Sequence, residues 1–145
     1  MLGVKKYSPE YVEACRSRVD AQLAAYRALV AAARSVKGEQ GSELDARLKA
    51  FEAQFFNNMV LALEQCFCHR LRGVEGKDGN PLNESRVLAS SLMENGGKMG
   101  GDKSIKLEPS ESLLKYELGE EIELDEDDFT LLAQAFLAEI ERKFS

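Results

Sequence analysis

The run HRLRGVEGKDGNPLNESR, residues 69–86, decides how this chain is read. It joins two stretches of helical apolar periodicity and carries the only histidine and three arginines. His69, Arg70 and Arg72 would crowd the last turn of one helix, where cations complement the negative end of the backbone dipole. Three glycines between Gly73 and Gly79 then turn the chain. Asn80-Pro81 restarts a helix: the Asn side chain takes up an orphan N–H, and proline at the next position has no N–H to lose.

Upstream, the spacing predicts two long helices. Ser8-Pro9 opens the first, whose apolar face is Val12, Cys15, Val19, Leu23, Tyr26, Leu29 or Val30, and Ala33. Gly38 to Gly41 reads as the turn that ends it. The second starts near Ser42, with the stripe Leu44, Leu48, Phe51, Phe55, Met59, Leu63 and Phe67, widened by Phe56, Val60 and Cys66. So short a connection predicts an antiparallel hairpin. Asn57 and Asn58 stand mid-helix, where asparagine is a weak helix former, so one is expected to tie elements together through its amide.

Downstream, Leu82, Ala89, Leu92 and Met93 mark a short third helix, stopped by Asn95-Gly96-Gly97. Residues 105–107, 113–118 and 121–124 alternate or tolerate strand, with Gly119 between the last two, which predicts a small β-hairpin. Asp125 and Asp128 form a capping-box pattern before Phe129, Leu132, Ala133, Phe136, Leu137, Ile140 and Phe144. Seven of the nine residues from Glu120 to Asp128 are acidic, which suits a helix start. The expected fold is mainly α and four-helix bundle-like, with the β-hairpin between the third and fourth helices, in a single domain, residues 1–145.

Totals set outer bounds. Hydrophobic residues make up 44% and charged residues 30%, a globular balance rather than a disordered one. No apolar run approaches the roughly 18 residues of a membrane span. The first residues lack the apolar core of a secretory signal, so a cytoplasmic, non-membrane protein is expected. Cys15, Cys66 and Cys68 make no disulfide framework and read as reduced thiols. Cys66, Cys68 and His69 lie too close on one helix to enclose a tetrahedral ion, and no metal or cofactor is expected. A net charge of −6 opposes broad nucleic-acid binding but leaves room for a local basic site.

The junction admits three readings. In the structural one, the glycines turn the chain, and Glu75, Lys77, Asp78 and Asn83 stitch the turn by hydrogen bonds. In the second, a phosphorylated ligand or RNA docks at the helix start, held by Arg70, Arg72, Lys77, Asn80, Asn83 and Arg86. Neither the Walker spacing nor a strand-borne Gly-rich fingerprint is present, and Glu75, Asp78 and Glu84 would oppose an anion that they faced. In the third, His69 acts as a general base oriented by Glu75 or Glu84.

The helix-edge pairing of His69 with Arg70 and Arg72 resembles the HEPN class of helical nucleases, which often work as dimers; the resemblance implies ribonuclease activity. That class places the arginine before the histidine, whereas both arginines follow His69 here. The run from about Phe51 onward, EGKDGNPLNE at Glu75–Glu84 above all, is similar to a group of small actinobacterial helical proteins. That likeness implies a bacterial cytoplasmic origin and brings no activity, cofactor or catalytic residue.

The leading functional expectation is a non-enzymatic interaction or assembly protein acting as a homodimer, paired through the first or last helix, or along the Phe56–Val60 edge if that edge is uncovered. The alternative is phosphate-ligand or RNA binding at the His69–Arg86 junction, with HEPN-like hydrolysis.

Overall fold

A computed structural model describes residues 3–145. The fold is mainly α, with helices α1 (Pro9–Arg34), α2 (Gly38–Cys66), α3 (Arg72–Glu75), α4 (Pro81–Glu94) and α5 (Glu126–Lys143). Helix α2 packs against α1, α4 and α5, and α5 packs against α1, α2 and α4, so both long N-terminal helices meet the C-terminal one. Between them lie Phe56, Phe67, Phe129, Phe136 and Phe144, all fully buried. Each contributes roughly 1.5–3 kcal/mol by leaving water.

The helix starts follow the sequence chemistry. Ser8 Oγ accepts from the Tyr11 N–H at 3.1 Å, and Asp125 and Asp128 close a reciprocal capping box on α5. Two boundaries differ from expectation. Gly38 to Gly41 is not the turn but the first turn of α2, and the connection is Ser35 to Lys37. A side chain on Gly41 would collide with the Val36 carbonyl, so glycine here permits a close backbone approach. Helix α2 stops at Cys66, because Phe67 leaves the helix and turns into the core. The glycine-bearing bend also contains a helical turn of its own, α3.

The buried stripe of α2 differs too. Its sealed residues are Phe56, Met59, Val60 and Leu63, whereas Phe51 is 45% exposed, Leu44 is 41% exposed and Phe55 is half-buried. The Phe56–Val60 edge is therefore covered within one chain and is not a free interface. Length is the cause: α1 and α2 would run about 39 and 44 Å, α4 and α5 about 21 and 27 Å. The short helices cover only the part of the hairpin that runs from its open end to Tyr26 and Phe56.

No β-hairpin forms among the described residues. Residues 95–125 carry one antiparallel bridge, Lys98 to Glu121, held by Met99 N to Glu120 O and Ile122 N to Gly97 O, both 2.8 Å. The alternating apolar residues are anchored singly instead: Met99, Ile105, Ile122 and Leu124 each plug into the helical core. Side chains from the helices replace the missing strand partners. Asn57 Nδ2 donates to Ile122 O at 2.8 Å and its Oδ1 accepts from Leu124 N at 3.2 Å, so its amide serves as a peptide group. Glu84 accepts from Leu113 N and Leu114 N at 2.8 and 2.9 Å. Asn58, by contrast, is exposed.

The segment before α1 laces the junction to the C-terminus. Val4 N donates to His69 O at 2.7 Å, Leu71 N donates to Val4 O at 2.8 Å, and Tyr7 N donates to Phe144 O at 2.7 Å.

Candidate functional site

The junction folds into a buried ionic knot. Arg70 and Glu75 both point inward, on either side of the bend that α3 forms. Arg70 Nε donates to Glu75 Oε1 at 2.8 Å; Nη1 and Nη2 donate to the two Glu64 oxygens at 2.9 and 2.8 Å. The same nitrogens reach Phe67 O at 3.1 Å and Leu82 O at 3.0 Å. All five guanidinium N–H groups are thus engaged within the chain, the condition for keeping this cation in a dry interior. Its Cζ lies over the Phe136 ring, 5.4 Å from the ring centre.

Glu75 is the hub. Beyond Arg70 its carboxylate accepts from Arg86 Nη2 and Nε at 2.6 and 3.1 Å and from Asn83 Nδ2 at 2.7 Å. Burial alone would push its carboxyl upward; the Arg86 and Arg70 charges and the Asn83 bond outweigh that and hold it below the ordinary carboxylate range. The Glu75 main chain is used as well: its carbonyl accepts from Asn80 Nδ2 and from Lys143 Nζ at 2.8 Å each.

Asn80 caps α4, its Oδ1 accepting from Leu82 N and Asn83 N at 2.9 and 3.1 Å. Asn83 closes the glycine turn, accepting from Gly79 N at 2.9 Å and donating to Gly76 O at 3.0 Å. Of the six residues considered for an anion, four therefore put side-chain polar groups into the fold: Arg70, Asn80 and Asn83 wholly, and Arg86 through Nε and Nη2. The exposed Lys77 takes part through its carbonyl, which accepts from Lys106 N at 2.8 Å.

His69 is exposed and follows the end of α2. Neither carboxylate considered as its orienting partner reaches it: Glu75 is bound to Arg70, Arg86 and Asn83, and Glu84 to the Leu113 and Leu114 amides. Among the described residues the imidazole has no charged partner.

Arg72 and Arg86 converge elsewhere. With Ser90, Asn95, Asp102 and Lys103 they line a cavity of about 660 Å³ between α4 and the loop after it. Lys103 and Ser90 come from positions where no local motif marks them, and only the folded loop brings them to the arginines. Glu64, the second carboxylate of the knot, was equally illegible, standing inside the α2 pattern like any solvated helix residue.

A second surface lies on the outer side of the α1–α2 hairpin. An apolar groove of about 280 Å³ runs between the helices, lined by Cys15, Val19, Phe55, Met59 and Leu63 among others. Phe51 stacks on Phe55 at 5.4 Å between ring centres and extends this surface toward the tip of the hairpin. Leu29, on α1 of the same hairpin, is 51% exposed. Among the described residues no helix is long and apolar enough to cross a membrane.

Comparison with protein-family models, curated proteins and solved structures finds no match to this chain.

Proposed function

We propose that this chain is a non-enzymatic interaction protein that assembles as a homodimer through the outer face of its α1–α2 hairpin, doubling a four-helix bundle-like scaffold. The observation that carries the reading is the apolar groove between Cys15 and Met59, extended by Phe51 where it stacks on Phe55, together with the exposed Leu29 and Leu44 on the same two helices. Monomeric proteins scatter exposed apolar residues singly, whereas contiguous patches mark contact sites.

Charge favours a second copy as the occupant. Helical spacing puts Cys15, Arg18, Gln22, Ala25 and Leu29 on one stripe of α1, and Phe51, Phe55, Asn58, Ala62 and Gln65 on the facing stripe of α2. Arg18 is the one charge among these ten, in a chain whose residues are 30% charged. Two such faces bring only the two Arg18 side chains together as like charges, although each chain carries −6 overall. Size is adequate: a face about 25 Å long and two helices wide offers roughly 500 Å² per copy, and the pair reaches the ~1,000 Å² at which specific interfaces begin. A two-fold axis across the hairpins gives an isologous contact, with small residues allowing close helix approach.

Analytical ultracentrifugation tests this directly. The expected wild-type mass is twice 16.1 kDa. The double variant Leu29→Glu/Phe51→Glu, altered only at exposed positions, should sediment as a folded monomer. A wild type that is monomeric at tens of micromolar, or a double variant that dimerises as well as the wild type, would overturn the reading.

A further inference from the structure

We propose that the cavity between α4 and the loop at residues 100–103 is a binding site for a small phosphate monoester, with Arg86 as its fixed anchor and Arg72 as its mobile clamp. Arg86 is the key. Two of its nitrogens are bound to the Glu75 carboxylate at 3.1 and 2.6 Å, and Glu75 is itself wholly buried and pinned from behind by Arg70 at 2.8 Å. The guanidinium therefore cannot swing. Its remaining N–H groups, Nη1 above all, have no partner among the described residues and belong to a side chain that lines the cavity. An arginine whose rotamer is set in advance loses little entropy when it forks onto an anion.

The other cations differ from Arg86 in being free. Arg72 is exposed and, like Lys103, makes no ion pair among the described residues. Both line the same cavity. Asp102 is the acid that faces them, and its carboxylate is turned onto Ser104, whose N–H and Oγ donate to it at 2.8 and 2.6 Å. Glu94 lies on the α4 side. Arg72 and Lys103 balance the lining carboxylates Asp102 and Glu94, and Glu75 offsets Arg86, so the site has no broad positive field to hold an extended polyanion and relies on directed N–H donors, which suit a compact phosphate. The volume, about 660 Å³, exceeds a bare phosphate and suits a phosphate carried on a polar body. Glu94, Asn95 and Ser90 are acceptors and donors for hydroxyl groups on that body. The site class is therefore a sugar phosphate or mononucleotide, and the buried knot is what holds its anchor in place.

Isothermal titration of the full chain with inorganic phosphate, ribose 5-phosphate and AMP, against ribose and adenosine as controls, tests the proposal. The phosphorylated probes should bind and the controls should not. Arg72→Ala and Lys103→Ala, both outside the knot and expected to melt like the wild type, should weaken binding roughly tenfold or more. Amide resonances that shift should cluster at residues 100–103. Absence of binding by all three phosphorylated probes up to about 10 mM, ten times a weak Kd of ~1 mM, would overturn the proposal. So would binding unaltered in Arg72→Ala, or binding confined to a short single-stranded RNA tested beside them.

Discussion

The guanidinium Nε of Arg70 lies 2.8 Å from Glu75 Oε1, with both side chains sealed from water, across the bend at which the sequence crowds its basic residues. A pair of this kind stabilises little relative to an apolar replacement, but removing one member strands the other in a low-dielectric interior. Arg70→Ala is therefore expected to cost about 3–5 kcal/mol. Urea unfolding at neutral pH measures it, and a loss under about 1 kcal/mol would mean that water reaches the knot.

The two buried glutamates of the junction should titrate stability in opposite directions. Glu75 is held below its ordinary value: burial raises it, but Arg86, Arg70 and Asn83 prevail. Its contribution is present above the unfolded-state value and is lost as pH falls through the folded one. Glu84 is raised, because burial outweighs the Leu113 and Leu114 amide bonds and the Lys115 charge. Its contribution is present below the unfolded-state value and is lost as pH rises through the folded one. Across the range from below the ordinary glutamate value to above it, Glu75→Gln should therefore lose ground to the wild type in the lower part, as pH rises up to that value, and Glu84→Gln should gain on it in the upper part, as pH rises beyond it. Urea midpoints across that range decide it; slopes of the same sign would contradict the assignment.

Adjacent phenylalanines in α2 should respond very differently to truncation. Phe56 is fully buried and meets Tyr26 and Phe129 at 4.8 and 5.8 Å between ring centres, so Phe56→Ala should cost about 3–5 kcal/mol. Phe55, half-buried on the groove, should cost well under half of that in monomer stability while weakening dimerisation. Equal losses for the two would place Phe55 in the core.

Asn80→Ala should cost more than an ordinary cap, about 2 kcal/mol rather than ~1. The side chain satisfies two α4 amides and also donates to Glu75 O at 2.8 Å. Thermal melts of Asn80→Ala and Asn80→Asp separate the two roles, since aspartate keeps the cap and loses the donor.

Gly79→Ala should destabilise by more than about 1 kcal/mol. The backbone there has a φ of +88°, and an added Cβ would collide with the Lys106 carbonyl. Hydrogen exchange at the Lys106 amide, which donates to Lys77 O at 2.8 Å, should quicken in the variant. An unchanged melting temperature and unchanged exchange would show that the turn yields freely.

What local chemistry dictates was legible without coordinates. Ser8-Pro9, Asn80-Pro81 and the Asp125/Asp128 box start helices because a cap is satisfied within three residues of itself. The stripe from Phe129 to Phe144 is long and regular enough to fix α5 and its buried face. That one of Asn57 and Asn58 is a tie was recognisable because asparagine mid-helix needs a reason to be there, but only the fold shows that it is Asn57.

Only the tertiary structure decided which side of α2 is covered, because that depends on how far the shorter α4 and α5 reach along it. The periodicity of Leu44, Phe51 and Phe55 is the same whether another helix arrives or water does. It also decided the junction. A run of arginines and glutamates reads alike as an open anion site or a closed network, until Glu64, 11 residues before Glu75, is seen to meet the same guanidinium. Helix starts are bonds between near neighbours and are written in the sequence; burial and charge pairing are set by residues that meet only once the chain has folded.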